Sequence, residues 1–96
     1  MSFEEFRKSV QENEPPDQIS DALRALWWDA KGEWDKSHET AQEIHNSDGS
    51  WVHAYLHRKE GDEGNASYWY SRAGKPKSDL SLEQEWEEIV NALLGK

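Results

Sequence analysis

The sequence predicts an all-α fold of about six helices: two helical hairpins closed by a C-terminal amphipathic capping helix. Three observations predict it. Residues 25–44 recur in outline as residues 54–73, each copy placing an alanine (Ala25, Ala54) two turns ahead of a glycine (Gly32, Gly61) that an acid follows directly (Glu33, Asp62). A small residue comes next (Ser37, Ala66), then apolar positions further on (Ala41 and Ile44, Tyr70 and Ala73). That order describes a helix, a tight glycine turn and a second helix packed back on the first. The second observation is a pair of capping boxes, Ser2 with Glu5 and Ser81 with Gln84, each able to satisfy reciprocal orphan amides at a helix start. The third is that no stretch reads as a strand.

Taken in order, the first helix starts at the Ser2 box. Its apolar positions Phe3, Phe6 and Val10 make a narrow stripe, and Pro15 and Pro16 stop it because proline lacks an amide and restricts the residue before it. Residues 1–16 are read as a loosely docked arm. From Asp17 the pattern strengthens: Ile19, Leu23, Leu26 and Ala30 follow helical spacing, while Ala22, Ala25 and Trp27 widen the apolar face. After Gly32 a third helix is marked by Trp34, Ala41 and Ile44, with Glu33 and Asp35 in its first turn where carboxylates favour the helix dipole. Residues 46–49 are read as its breaker. A fourth helix spans about residues 50–60, and residues 61–65 turn into a fifth that ends near Ala73 and Gly74. Lys75, Pro76 and Lys77 form the stop. Leu82, Trp86, Ile89, Val90 and Leu93 then give an amphipathic cap over residues 80–95, with an acidic outer face. Residues 17–74 thus hold the two hairpins of a single domain.

The chain has 96 residues, 34% of them hydrophobic, which suits one small core. Six tryptophans carry much of that burden, since each large ring can bury about 150–250 Å2. Twenty acids against eleven lysines and arginines give a net charge of −9, a field that repels phosphate backbones and anionic membranes. Nucleic acid and membrane are therefore not expected partners. No long apolar run exists, and Glu4 and Glu5 stand where a secretory leader needs positive charge, so a cytoplasmic location is expected. Without cysteine there are no disulfides or thiolate metal sites. No cofactor is expected.

The second copy, with Ala54, Gly61, Asp62, Ala66, Tyr70 and Ala73, resembles a tetratricopeptide repeat. The first, with Ala25, Trp28, Gly32, Ser37, Ala41 and Ile44, is a more distant version, and the two copies are offset by less than the usual ~34 residues. Two such repeats are fewer than the roughly three that normally make a stable array, so the resemblance implies that flanking helices complete the core. More specifically, Trp51, His53, Ala54, Tyr55, His57 and Arg58, followed by Gly61, Asp62, Asn65 and the aromatic run Tyr68, Trp69 and Tyr70, are similar to a family of short bacterial proteins of no known activity. Leu26, Trp27, Lys31, Gly32, Trp34 and Asp35 occur there in the same order.

Three constellations offer function. His53 and His57 lie at i and i+4 with Glu60 at i+7, so one helix face presents all three as a metal site requires, and His38 can supply a further ligand. The ordinary packing reading places these imidazoles in the core, bonded to a phenol or carboxylate. The carboxylate pairs Glu60 with Asp62 and Glu33 with Asp35 flank helix turns, where helix-start stabilisation of about 0.3–1 kcal/mol each explains them without acid–base work. No catalytic residue is assigned, because no serine, cysteine or lysine has an activating neighbour and residues 61–64 lack phosphate-loop spacing. Trp51, Tyr55 and Arg58 occupy the other side of the fourth helix. If the hairpins are tetratricopeptide-like, that side looks into a groove where aromatics and arginine bind peptide, with Lys31 and Arg72 adding positive charge. Trp27, Trp28, Tyr68, Trp69 and Tyr70 point in several directions, so some aromatic surface is expected to remain for a partner or a second copy. The leading expectation is thus a protein or peptide interaction module. The alternatives are a small metal-dependent or acid–base enzyme centred on the histidines, and a structural homo-oligomer.

Overall fold

A computed structural model describes residues 1–96 as six helices and no strands: α1 Phe3–Ser9, α2 Asp21–Ala30, α3 Trp34–Gln42, α4 Ser47–Lys59, α5 Glu63–Ala73 and α6 Leu82–Leu94. The all-α expectation is met. α2 packs against α3 and α4 against α5, while α4 also touches α2, α3 and α6 and so forms the centre of the domain. None of the helices is long and apolar enough to cross a membrane.

The recurring sequence pattern has a recurring geometry. Gly32 and Gly61 sit at φ 86° and 87°, the left-handed region that a side chain resists. In both turns the glycine amide bonds a carbonyl three residues back and the next amide reaches five residues back, Glu33 to Trp28 and Asp62 to His57, each 2.9 Å. This double closure satisfies the last carbonyls of α2 and α4 and sends the chain back along the helix it has just left. The small residue that follows lets the returning helix come close. The Ser37 hydroxyl donates to the Ala25 carbonyl at 2.6 Å, and Ala66 and Ala54 are wholly buried in the second copy.

Both capping boxes form, at Ser2 with Glu5 and at Ser81 with Gln84. Three boundaries differ from expectation. α2 begins at Asp21 rather than near Asp17, because Gln18 adopts φ 64° and Ser20 caps the helix by accepting from the Leu23 amide. α4 begins three residues earlier than expected: residues 46–49 do not merely end α3, since Asn46 caps α4 through the Gly49 amide. Nor are residues 1–16 a loose arm. Phe6 is fully buried against Trp86 of α6, the Trp27 indole donates to Ser9 Oγ at 3.0 Å, and Lys31 Nζ donates to the carbonyls of Val10 and Glu12.

The capping helix docks as its stripe predicts, with Trp86, Ile89, Val90 and Leu93 buried and the Trp86 indole donating to the Leu26 carbonyl of α2 at 3.0 Å. It also carries an acid inward. Glu85 is fully buried, accepting from Arg58 Nη1 at 2.7 Å and from the Tyr70 hydroxyl. Asp29 is the other buried carboxylate, held by the Tyr55 hydroxyl at 3.0 Å and by Lys59 Nζ at 2.7 Å. Burial first, then the adjacent carboxylate, pushes both phenols well above their usual range, which keeps Tyr55 and Tyr70 protonated as donors. No buried side-chain nitrogen or oxygen lacks a partner.

Candidate functional site

Two sides of α4 carry different loads. The side bearing Tyr55 and Arg58 is consumed by the fold. Tyr55 is buried on Asp29, and Arg58 is clamped between Glu85 and the Leu80 carbonyl. Trp51 is buried with Lys75 Nζ 4.2 Å above its ring. Lys31 caps the end of α1, and Arg72 lies elsewhere, on α5 over Trp69. These five residues do not line one open groove. The aromatic surface is also smaller than expected: Trp27 is fully buried, Trp28, Trp34 and Trp69 are half-buried, and Tyr68 is the exposed ring.

The opposite side of α4 gathers histidines. His53 and His57, one turn apart on α4, stack with ring centres 4.9 Å apart. α3 packs on α4 so that His38 arrives from a second helix, its Nε2 3.2 Å from His53 Nε2. One ring nitrogen from each of the three lies within 4.8 Å of the others. Indoles wall the group: Trp34 stacks on His38 at 4.8 Å, and Trp69 stacks on His53 at 4.1 Å. This surrounding is largely apolar and leaves His53 only 6% exposed. Burial first, then the neighbouring His38 and His57, pulls His53 down to about 4, so it is neutral near pH 7 and carries a free lone pair.

The spacing suits a shared ion. Two imidazole nitrogens each about 2.0–2.1 Å from a tetrahedral zinc stand about 3.3 Å from one another, close to the His38–His53 separation. His57 Nδ1 is taken by Glu60 Oε1 at 2.7 Å, so Nε2 is the nitrogen this ring has left to offer an ion. That carboxylate-to-imidazole bond sets ring orientation and raises ligand basicity around bound metals. Glu60 is placed to give His57 that support. Sequence spacing placed His53, His57 and Glu60 on one face; His38 completes the set through the packing of α3.

Glu60 and Asp62 also lie near His57, but Asp62 is engaged as the α5 cap, accepting from the Asn65 backbone and side-chain amides. Those two bonds, side chain first, hold its carboxyl below the usual range. Glu33 occupies the N-cap position of α3 with no side-chain cap bond, and Asp35 sits in that helix's first turn. None of these four acids lines one of the four principal clefts of the domain. Trp69, which covers His53, is the site residue that sequence spacing does not single out, because the run Tyr68, Trp69 and Tyr70 does not show which ring turns toward α4.

A cleft of about 490 Å3 opens beside the histidines, lined by His53, Trp69 and Arg72 together with Ser50, Asn46 and His45 among others. Comparison with protein-family models, with curated proteins and with solved structures finds no match to this chain.

Proposed function

We propose that this protein binds a borderline divalent transition metal, zinc foremost, in a three-histidine centre formed by His38, His53 and His57. The observation that carries the reading is the arrival of His38 from α3 at 3.2 Å from His53, against a pair already set by helical spacing. Neutral imidazoles are the ligands such ions prefer, while calcium and magnesium favour oxygen. Glu60 supplies the outer hydrogen bond to His57. Three protein ligands leave a tetrahedral ion one open position, the arrangement of sites that bind water or an outside ligand rather than purely structural ones. The interaction-module expectation loses its basis in the groove, because Tyr55 and Arg58 are committed to buried partners.

The test begins with elemental analysis of protein purified without chelator or added metal, followed by cobalt titration of the metal-stripped chain. The reading expects about one ion per chain and tetrahedral cobalt absorption, both lost in His38→Ala. A His38→Ala chain that binds cobalt as the parent does, or a parent that binds none, would leave the histidines as hydrogen-bonded packing residues.

A further inference from the structure

The cleft beside the histidines has an unusual charge for this molecule. The chain carries twenty acids, and each of the other three large clefts includes at least one of them: Glu85 and Glu88, Asp48, and Asp29 respectively. The cleft at His53 contains none. Its cation is also the exception among its kind. Arg7, Arg24 and Arg58 each pair with a carboxylate, whereas Arg72 donates to the Tyr68 hydroxyl at 3.1 Å and pairs with no acid. Amid so much negative charge, an arginine without a carboxylate faces a cavity without a carboxylate.

The histidine shell shows a matching gap. His57 Nδ1 has Glu60. His53 uses Nε2 toward His38, and its Nδ1 has no protein partner. Although His53 is 94% buried, that nitrogen is not sealed from solvent, and the residue lines the cleft. A metal on Nε2 leaves the ring's one proton on Nδ1, where metal-bound histidines ordinarily donate to a carboxylate or carbonyl.

We propose that the cleft binds a small organic carboxylate, which bridges the Arg72 guanidinium and the His53 Nδ1–H and so completes the outer shell of the metal centre. The inference rests on the metal reading for the placement of that proton. Arginine recognises carboxylate through charge-assisted hydrogen bonds. The cleft volume of about 490 Å3 falls within the roughly 300–1,000 Å3 of small-molecule sites. Trp69, which stacks on His53 and carries Arg72 over its ring, lines the same cleft and so ties the two groups to one site. Because each ligand improves the other's site, carboxylate and metal binding are coupled, and the coupling is reciprocal.

The probe is propionate, with propionamide as its neutral counterpart, followed by NMR on the full chain with and without zinc. The expected result is a saturable shift at the His53 ring, Trp69 and Arg72 with propionate alone. Zinc is expected to bind about tenfold more tightly at saturating propionate, the size of effect that outer-shell partners have on metal affinity. Arg72→Ala should lose both effects while keeping the zinc affinity measured without propionate. Equal shifts with propionamide, no saturable shift, or coupling that survives Arg72→Ala would overturn the assignment. The failures separate: zinc binding with no propionate response removes the carboxylate and leaves the metal centre, whereas an Arg72-dependent propionate site on a chain that binds no zinc removes the metal centre and keeps the cleft.

Discussion

Glu85 shows how a single residue sets the character of one side of α4. It is fully buried and balances Arg58 and the Tyr70 hydroxyl together, so removing it leaves a half-buried cation and a buried phenol without partners. Glu85→Ala and Arg58→Ala are each expected to destabilise by about 3–5 kcal/mol, read by chemical denaturation. A loss below about 1 kcal/mol for Arg58→Ala would return that residue to the role of a free surface arginine. His53 makes the matching statement about pH. Its folded value near 4 lies below the ordinary 6.5, so between those limits the unfolded chain takes up a proton that the folded chain refuses. The metal-free protein should therefore hold its full stability above about pH 6.5 and lose it as pH falls toward 4, by at most about 1.4 kcal/mol per unit. Urea midpoints across that range in wild type and His53→Ala check this; the variant should be flatter. Both buried acids are legible in hindsight from spacing alone. Glu85 stands four residues before Ile89, and Asp29 three after Leu26, on the apolar stripes of their helices. What spacing does not convey is that Arg58 and Lys59, far along the chain, arrive to neutralise them.

At the scale of elements, the glycine turns read directly from the sequence because the requirement is local: a left-handed residue must sit where each helix reverses. The start of α4 does not read so simply. The composition of residues 46–49 is that of a loop, yet Asn46 supplies the cap and Gly49 lies inside the first turn. Gly49 is there for space. A Cβ at that position would stand 2.5 Å from Ile44 Cβ and 2.6 Å from the Ile44 carbonyl oxygen, so the incoming chain crosses α4 where only hydrogen fits. Gly49→Ala should accordingly cost about 1–3 kcal/mol despite its better helix propensity, and a stabilised variant would contradict this packing. Asn46→Ala should cost about 1 kcal/mol by losing the cap. The i, i+4 pair His53 and His57 is likewise local and legible. The arrival of His38 is not, because it depends on how α3 lies across α4.

For the whole molecule, α4 divides two polar systems: buried carboxylates with their partners toward α2 and α6, and imidazoles walled by Trp34 and Trp69 toward α3 and α5. The first ties the capping helix to the centre, and the second joins residues from three helices around one point. An ion bound there links α3 to α4 and stabilises only the folded chain. At a hundredfold excess over its dissociation constant it adds about 2.7 kcal/mol, which for a domain of this size raises Tm by about 10–20 °C. Thermal melts of the stripped protein with and without zinc measure this, and the shift should vanish in His38→Ala. X-ray absorption at the zinc edge of the loaded protein reads the three-histidine centre itself. Three imidazole nitrogens at about 2.0–2.1 Å with one oxygen from water or an outside ligand is the predicted shell. A shell of oxygens, or a protein that retains no zinc, would contradict it.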